Sequence, residues 1–157
     1  MIWIGVEMSE TRSIDFDTVK EVWNSYELND KNTIMVKSVV TNILKKLTTD
    51  YVTGFPEYVG QVNTVVRVSS KTLNKDKTGE IPSKDTWPSI PKEQMRVKKV
   101  LKEDWNAYEV DDGYIFQLKP VVVDVYKFTD LFDQNGLPFY VVQTIPVGRT
   151  VKKNVDK

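Results

Sequence analysis

Trp105-Asn106-Ala107-Tyr108-Glu109-Val110-Asp111-Asp112 repeats Trp23-Asn24-Ser25-Tyr26-Glu27-Leu28-Asn29-Asp30 with five identities in eight positions. The spacing is 82 residues (105 − 23), and the match continues without a gap as far as Arg67 and Arg149. Beyond the opening motif it includes Lys37/Lys119, Val39/Val121, Val40/Val122, Lys45/Lys127, Gly54/Gly136, Pro56/Pro138, Tyr58/Tyr140, Val59/Val141, Gln61/Gln143 and Val65/Val147. The chain therefore reads as a tandem internal duplication. A unit of roughly 60 residues buries too little surface to be robust alone, so the copies are expected to pack on each other as a pseudo-twofold pair.

The pattern within each copy is β. After the Trp-Asn-x-Tyr-Glu segment, Asp112-Gly113 offers the positive φ that a hairpin turn needs, and Lys31 stands at the equivalent place among Asn29, Asp30 and Asn32. The longest strands are expected over 33–45 and 115–127. Apolar parity there changes midway, from Ile34 and Val36 to Val39 and Ile43, and from Phe116 and Leu118 to Val121, Val123 and Val125. A period of two cannot change phase without an extra residue, so a β-bulge or sharp bend is predicted near Ser38 and Pro120. Gly-x-Pro loops at Gly54-Phe55-Pro56 and Gly136-Leu137-Pro138 lead into last strands over 58–68 and 139–151.

The expected class is all-β, built from small antiparallel meander or barrel-like units. A strand is expected over 14–18, matched by 95–101, with a short helix over 15–22 as the alternative. Residues 1–8, which alternate Ile2, Ile4, Val6 and Met8 with other residues, predict a further strand. The divisions are 1–73 for the first copy, 74–94 for a Pro-rich extended linker and 95–157 for the second copy with a polar tail. Trp87 is out of place in a linker and is expected to pack back onto a copy, with partner docking as the alternative.

Composition excludes several function classes. Lys and Arg total 22, as do Asp and Glu, so no global field favours nucleic acid or an anionic membrane. There is no Cys and no His, which removes disulfides, thiolate and imidazole catalysis, and Cys/His zinc sites. Asp130, Asp133, Asn135 and Gly136 suggest a calcium loop, but Leu131 and Val142 occupy places where ligands belong. No metal or cofactor is expected, and neither a signal peptide nor a membrane span is evident. A soluble, cytoplasmic protein is the default.

Two readings of the repeated residues remain. In the first, Trp23, Tyr26, Trp105 and Tyr108 are structural anchors. In the second, aromatics form a stacking surface while Lys37, Lys45, Arg67, Lys119, Lys127 and Arg149 face phosphates of a single-stranded nucleic acid. With nothing marking an activated acid, base or nucleophile, the function expected is a non-enzymatic binding or assembly module. Its two similar surfaces would engage a protein partner or another copy. Single-strand nucleic-acid binding is second and an enzyme third.

Overall fold

The computed structural model describes residues 11–154 except Thr72 and Thr78; the strand expected over 1–8 lies outside this range. The first half of the chain supplies β1 (Thr11–Ile14), β2 (Asp17–Lys20), β3 (Asn24–Leu28), β4 (Thr33–Thr49) and β5 (Pro56–Ser69). The second supplies β6 (Lys92–Met95), β7 (Val97–Lys102), β8 (Asn106–Glu109), β9 (Tyr114–Phe132) and β10 (Pro138–Lys152). Each strand of the first half thus has a counterpart in the second about 82 residues later.

The strands form two antiparallel five-stranded sheets, and each half lends one strand to the other's sheet. In the first sheet β4 pairs with β5 along one side and with β3 and β1 along the other, while β7 continues outward from β3. In the second, β9 pairs with β10 on one side and with β8 and β6 on the other, while β2 continues from β8. The lent strands keep equivalent registers: Glu27 lies opposite Lys99 and Tyr26 opposite Val100, as Glu109 lies opposite Asp17 and Tyr108 opposite Thr18.

Two buried clusters lie between the sheets. Tyr26, Leu28, Ile34 and Val36 of the first half pack with Met95, Val125 and Tyr140 of the second. Tyr108, Phe116 and Leu118 of the second pack with Val40, Ile43 and Tyr58 of the first. Each half therefore contributes to both cores. Fully burying an aliphatic or aromatic side chain contributes about 1.5–3 kcal/mol, so most of this stabilisation is shared across the two halves.

The long strands serve both cores and need a change of phase between them. Ile34, Val36, Ser38 and Val40 point inward and are buried, after which Ile43 takes over. The extra residue is Thr41 in β4 and Val123 in β9, where the registers with β5 and β10 slip. The bulges thus fall three residues beyond the expected Ser38 and Pro120. The parity reading missed this because it took Val39 and Val121 for core residues, whereas Ser38 and Pro120 occupy the inward positions.

Two further expectations are corrected. The helix considered over 15–22 is absent, and the single strand over 14–18 is two strands parted at Asp15 and Phe16, where the chain crosses between sheets. Residues 74–94 hold two 3-10 turns, Lys75–Lys77 and Lys84–Ser89, and most of β6. At the β3–β4 turn Lys31 adopts φ 71°, the place where Gly113 has φ 81°.

Candidate binding surfaces

The repeated motif forms fastenings between the halves. Asn24, Tyr26 and Leu28 point inward from β3, alternating with the half-buried Ser25 and Glu27, and Asn106 and Tyr108 take the same phase on β8. Buried Asn106 accepts the backbone N–H of Val22 at 2.9 Å, and buried Asn24 accepts that of Asp104 at 2.9 Å. The Tyr26 hydroxyl donates to Glu103 at 2.8 Å, and that of Tyr108 donates to Glu21 at 2.8 Å. Tyr58 donates to Asp111 at 2.6 Å and Tyr140 to Asp30 at 2.5 Å. Each of these bonds joins one half of the chain to the other.

Lys45 and Lys127 complete the last two fastenings. Their ammonium groups lie 3.0 Å from Asp111 and Asp30 respectively. The Asp111 carboxyl is held below its ordinary value by the Tyr58 hydroxyl, against the pull of burial and with the help of Lys45. Burial also pulls Asp30 upward, but the bonds from Tyr140, Lys127 and the Asn32 backbone outweigh it and leave the carboxyl lowered. All four tyrosines are pushed well above their ordinary value, by burial first and by the facing carboxylate second. The protons stay on the phenols.

The remaining candidate residues lie on several surfaces. Trp23 and Trp105 are half-buried beside the outer faces of the two sheets. The Lys37 ammonium is 5.8 Å from the Trp23 ring centroid. Trp105 meets two cations, Lys119 at 4.7 Å and Arg149 at 4.2 Å, and Arg149 also donates to Gln117 at 2.6 Å. Arg67 is exposed on β5 opposite Met35. Trp87 packs edge-on against Phe128 and Phe139 at 5.7 and 5.6 Å and donates its indole N–H to the Pro82 carbonyl at 3.0 Å.

Arg67 and Arg149 also line equivalent grooves between β5 and β10, one with Ile81, Leu137 and Phe139, the other with Phe55, Tyr58 and Phe116. In the second groove Asp50 is held below its ordinary value by the backbone N–H and hydroxyl of Thr53, bonds that close its own loop.

Glu21 and Glu103 are fastening residues that the motif reading passed over. Lys20-Glu21 and Lys102-Glu103 precede the two tryptophans at the same offset of 82, so extending the match upstream identifies them.

No protein-family model matches the chain, and no curated protein or solved structure matches it. Among the described residues no helix is long and apolar enough to cross a membrane.

Proposed function

We propose that the protein is a non-enzymatic interaction module whose outer sheet faces beside Trp23 and Trp105 engage a protein partner. The observation that carries this reading is the outer face of β9 and β10, where Val121, Val123, Ile145 and Val147 are 37%, 50%, 56% and 40% exposed. Ile145 lies opposite Val121, and Val147 opposite Lys119, so these apolar side chains adjoin the Trp105–Lys119–Arg149 cluster. An exposed aliphatic patch bordered by an aromatic and by Arg149, with Lys119 already facing Glu103 at 3.6 Å, suits a partner presenting apolar side chains and a carboxylate. The same reading takes the chain as a tandem duplication, supported by the shared offset and pairing scheme, with the face around Trp23, Lys37 and Val65 as the second and more polar surface.

Single-stranded nucleic acid is less favoured. Lys45 and Lys127 are committed to Asp111 and Asp30, and Lys37 and Lys119 lie on different sheets. Such binding depends on phosphate neutralisation along one continuous track.

The test places a photo-crosslinking residue at Ile145 and, as a control, at Asn63, its counterpart on the other sheet, in the native host. One discrete adduct at Ile145, whose purified partner then loses affinity for Ile145→Glu, is expected. Equal smears at both positions would remove the face from consideration. A salt-sensitive oligonucleotide shift at about 50 mM salt, abolished by Lys119→Glu with Arg149→Glu, would replace it with the nucleic-acid reading.

A further inference from the structure

Besides the long edges of β5 and β10 and the short outer edges of β1 and β6, each sheet ends on a strand whose outer edge has no ladder partner among the described residues. These are β2 in the second sheet and β7 in the first. Every side chain of both strands is exposed, including Val19, Val100 and Leu101. Free backbone donors and acceptors beside aliphatic side chains form a template for another strand. The long edges of β5 and β10 are interrupted by Gly60, Pro146 and Gly148, whereas β2 and β7 contain neither Gly nor Pro.

The β2 and β7 edges, the ones whose side chains are exposed throughout, differ in charge. At β7 stand Lys98, Lys99 and Lys102, all exposed. At β2 stand the exposed Asp15 and Asp17, while its one cation, Lys20, is neutralised by Asp104 at 2.9 Å. Lysines on an edge ordinarily discourage pairing with a like edge. Here the same molecule carries an acidic edge elsewhere, so repulsion applies to β7 against β7 and attraction to β7 against β2.

We infer that the protein self-assembles head to tail, the acidic β2 edge of one copy pairing with the basic β7 edge of the next. Such a contact uses different surfaces on the two copies, so it leaves a free β2 at one end and a free β7 at the other and grows without a fixed endpoint unless it closes into a ring. The ladder is short and its charges are exposed, so the association depends on concentration and weakens with salt. It rests on the strand edges alone and is independent of the partner assigned to the outer face.

Sedimentation velocity of the full chain over a concentration series, at low and high salt, tests this. Mass that climbs with concentration and falls with salt is expected. Lys98→Glu with Lys102→Glu, and separately Asp15→Lys with Asp17→Lys, should each raise the concentration needed for association by roughly tenfold. An equimolar mixture of the two variants should associate again, because each acidic edge then meets a basic one. Circular dichroism melts establish that both variants are folded. A monomer at every concentration, or association indifferent to both reversals, would overturn the proposal. Loss of assembly in Ile145→Glu would assign self-contact to the outer face and overturn it as well, whereas assembly by Ile145→Glu leaves the edge pairing standing whatever the fate of the face.

Discussion

The two cores share a pairing scheme but are filled differently. Ile34 in the first core and Phe116 in the second occupy equivalent places, as do Val66 and Gly148 on the neighbouring strands. The larger Phe116 ring occupies the space next to Gly148: a Cβ built there would lie 2.8 Å from the ring. In the first half Val66 stands at the place of Gly148, 37% exposed at the rim rather than within the buried cluster. The difference teaches that the scheme fixes where a side chain points, while packing fixes only the combined volume of neighbours.

Exchanging single members of these pairs is the strongest way to break the equivalence. Gly148→Val forces a branched side chain into the Phe116 ring and is expected to cost about 3 kcal/mol in urea unfolding. Phe116→Ile combined with Gly148→Val installs the residues found at the equivalent places of the first half and should return stability to within about 1 kcal/mol of the starting protein. A double variant no more stable than Gly148→Val alone would show that the cores are not interchangeable.

The buried asparagines sharpen the comparison at smaller magnitude. Asn106 accepts the Val22 N–H and donates to the Ser38 carbonyl at 2.8 Å and to the Tyr108 hydroxyl at 3.0 Å. Asn24 accepts the Asp104 N–H, but among the described residues its side-chain nitrogen makes no well-formed hydrogen bond, only a looser approach to the Tyr26 hydroxyl. Asn106→Ala strands several polar groups and is expected to cost about 3 kcal/mol, whereas Asn24→Ala loses one bond, removes an unsatisfied donor and should cost about 1 kcal/mol. Equal losses would contradict this ranking.

The fastenings at Asp30 and Asp111 predict how the halves respond to acid. Both carboxyls are lowered in the folded protein, so their contribution is present above the unfolded value of 3.8 and is lost as pH falls through the folded value. Urea midpoints should therefore fall on acidification below about pH 4. Tyr58→Phe and Tyr140→Phe should each flatten part of that limb, and their effects should add because they act on different fastenings. At the alkaline end the raised tyrosines stabilise the fold below the unfolded tyrosine value of 10.0, and that contribution is lost as pH rises beyond it. Ultraviolet titration should then find these four phenols ionising only with unfolding.

Alternation of β-branched residues and the Gly-x-Pro loops made the β class and the long central strands legible in the sequence, because those signals act over neighbouring residues. The strand exchange was not legible. Nothing in Asp17–Lys20 or Val97–Lys102 identifies the sheet it joins, since that depends on contacts some 80 residues distant, such as Tyr26 with Glu103. The bulge sites were misread because Ser38 and Pro120 do not look like inward residues. The candidate surface was legible only as a list of cations: whether a lysine meets solvent, as Lys46 does, or an aspartate, as Lys45 does, is set by the opposite half of the chain.

The turns give the smallest difference between the halves, with opposite signs for reciprocal changes. Lys31 and Gly113 take nearly the same positive φ, which a side chain resists and glycine does not. At Lys31 the conformation is held by Asp30, whose carboxylate accepts the Asn32 backbone N–H at 3.0 Å while also binding Lys127 and Tyr140. Lys31→Gly relieves that strain but increases the freedom of the unfolded chain, so a gain of about 0.5 kcal/mol is expected. Gly113→Ala reduces the freedom of the unfolded chain but incurs the strain, and among the described residues nothing lies within 4 Å of the new methyl group to add a steric clash. A loss of about 1 kcal/mol is expected. If Lys31→Gly destabilised the protein instead, the φ at that turn would be imposed by the fastening at Asp30 at no backbone cost, and the two turns would differ in mechanism despite their shared geometry.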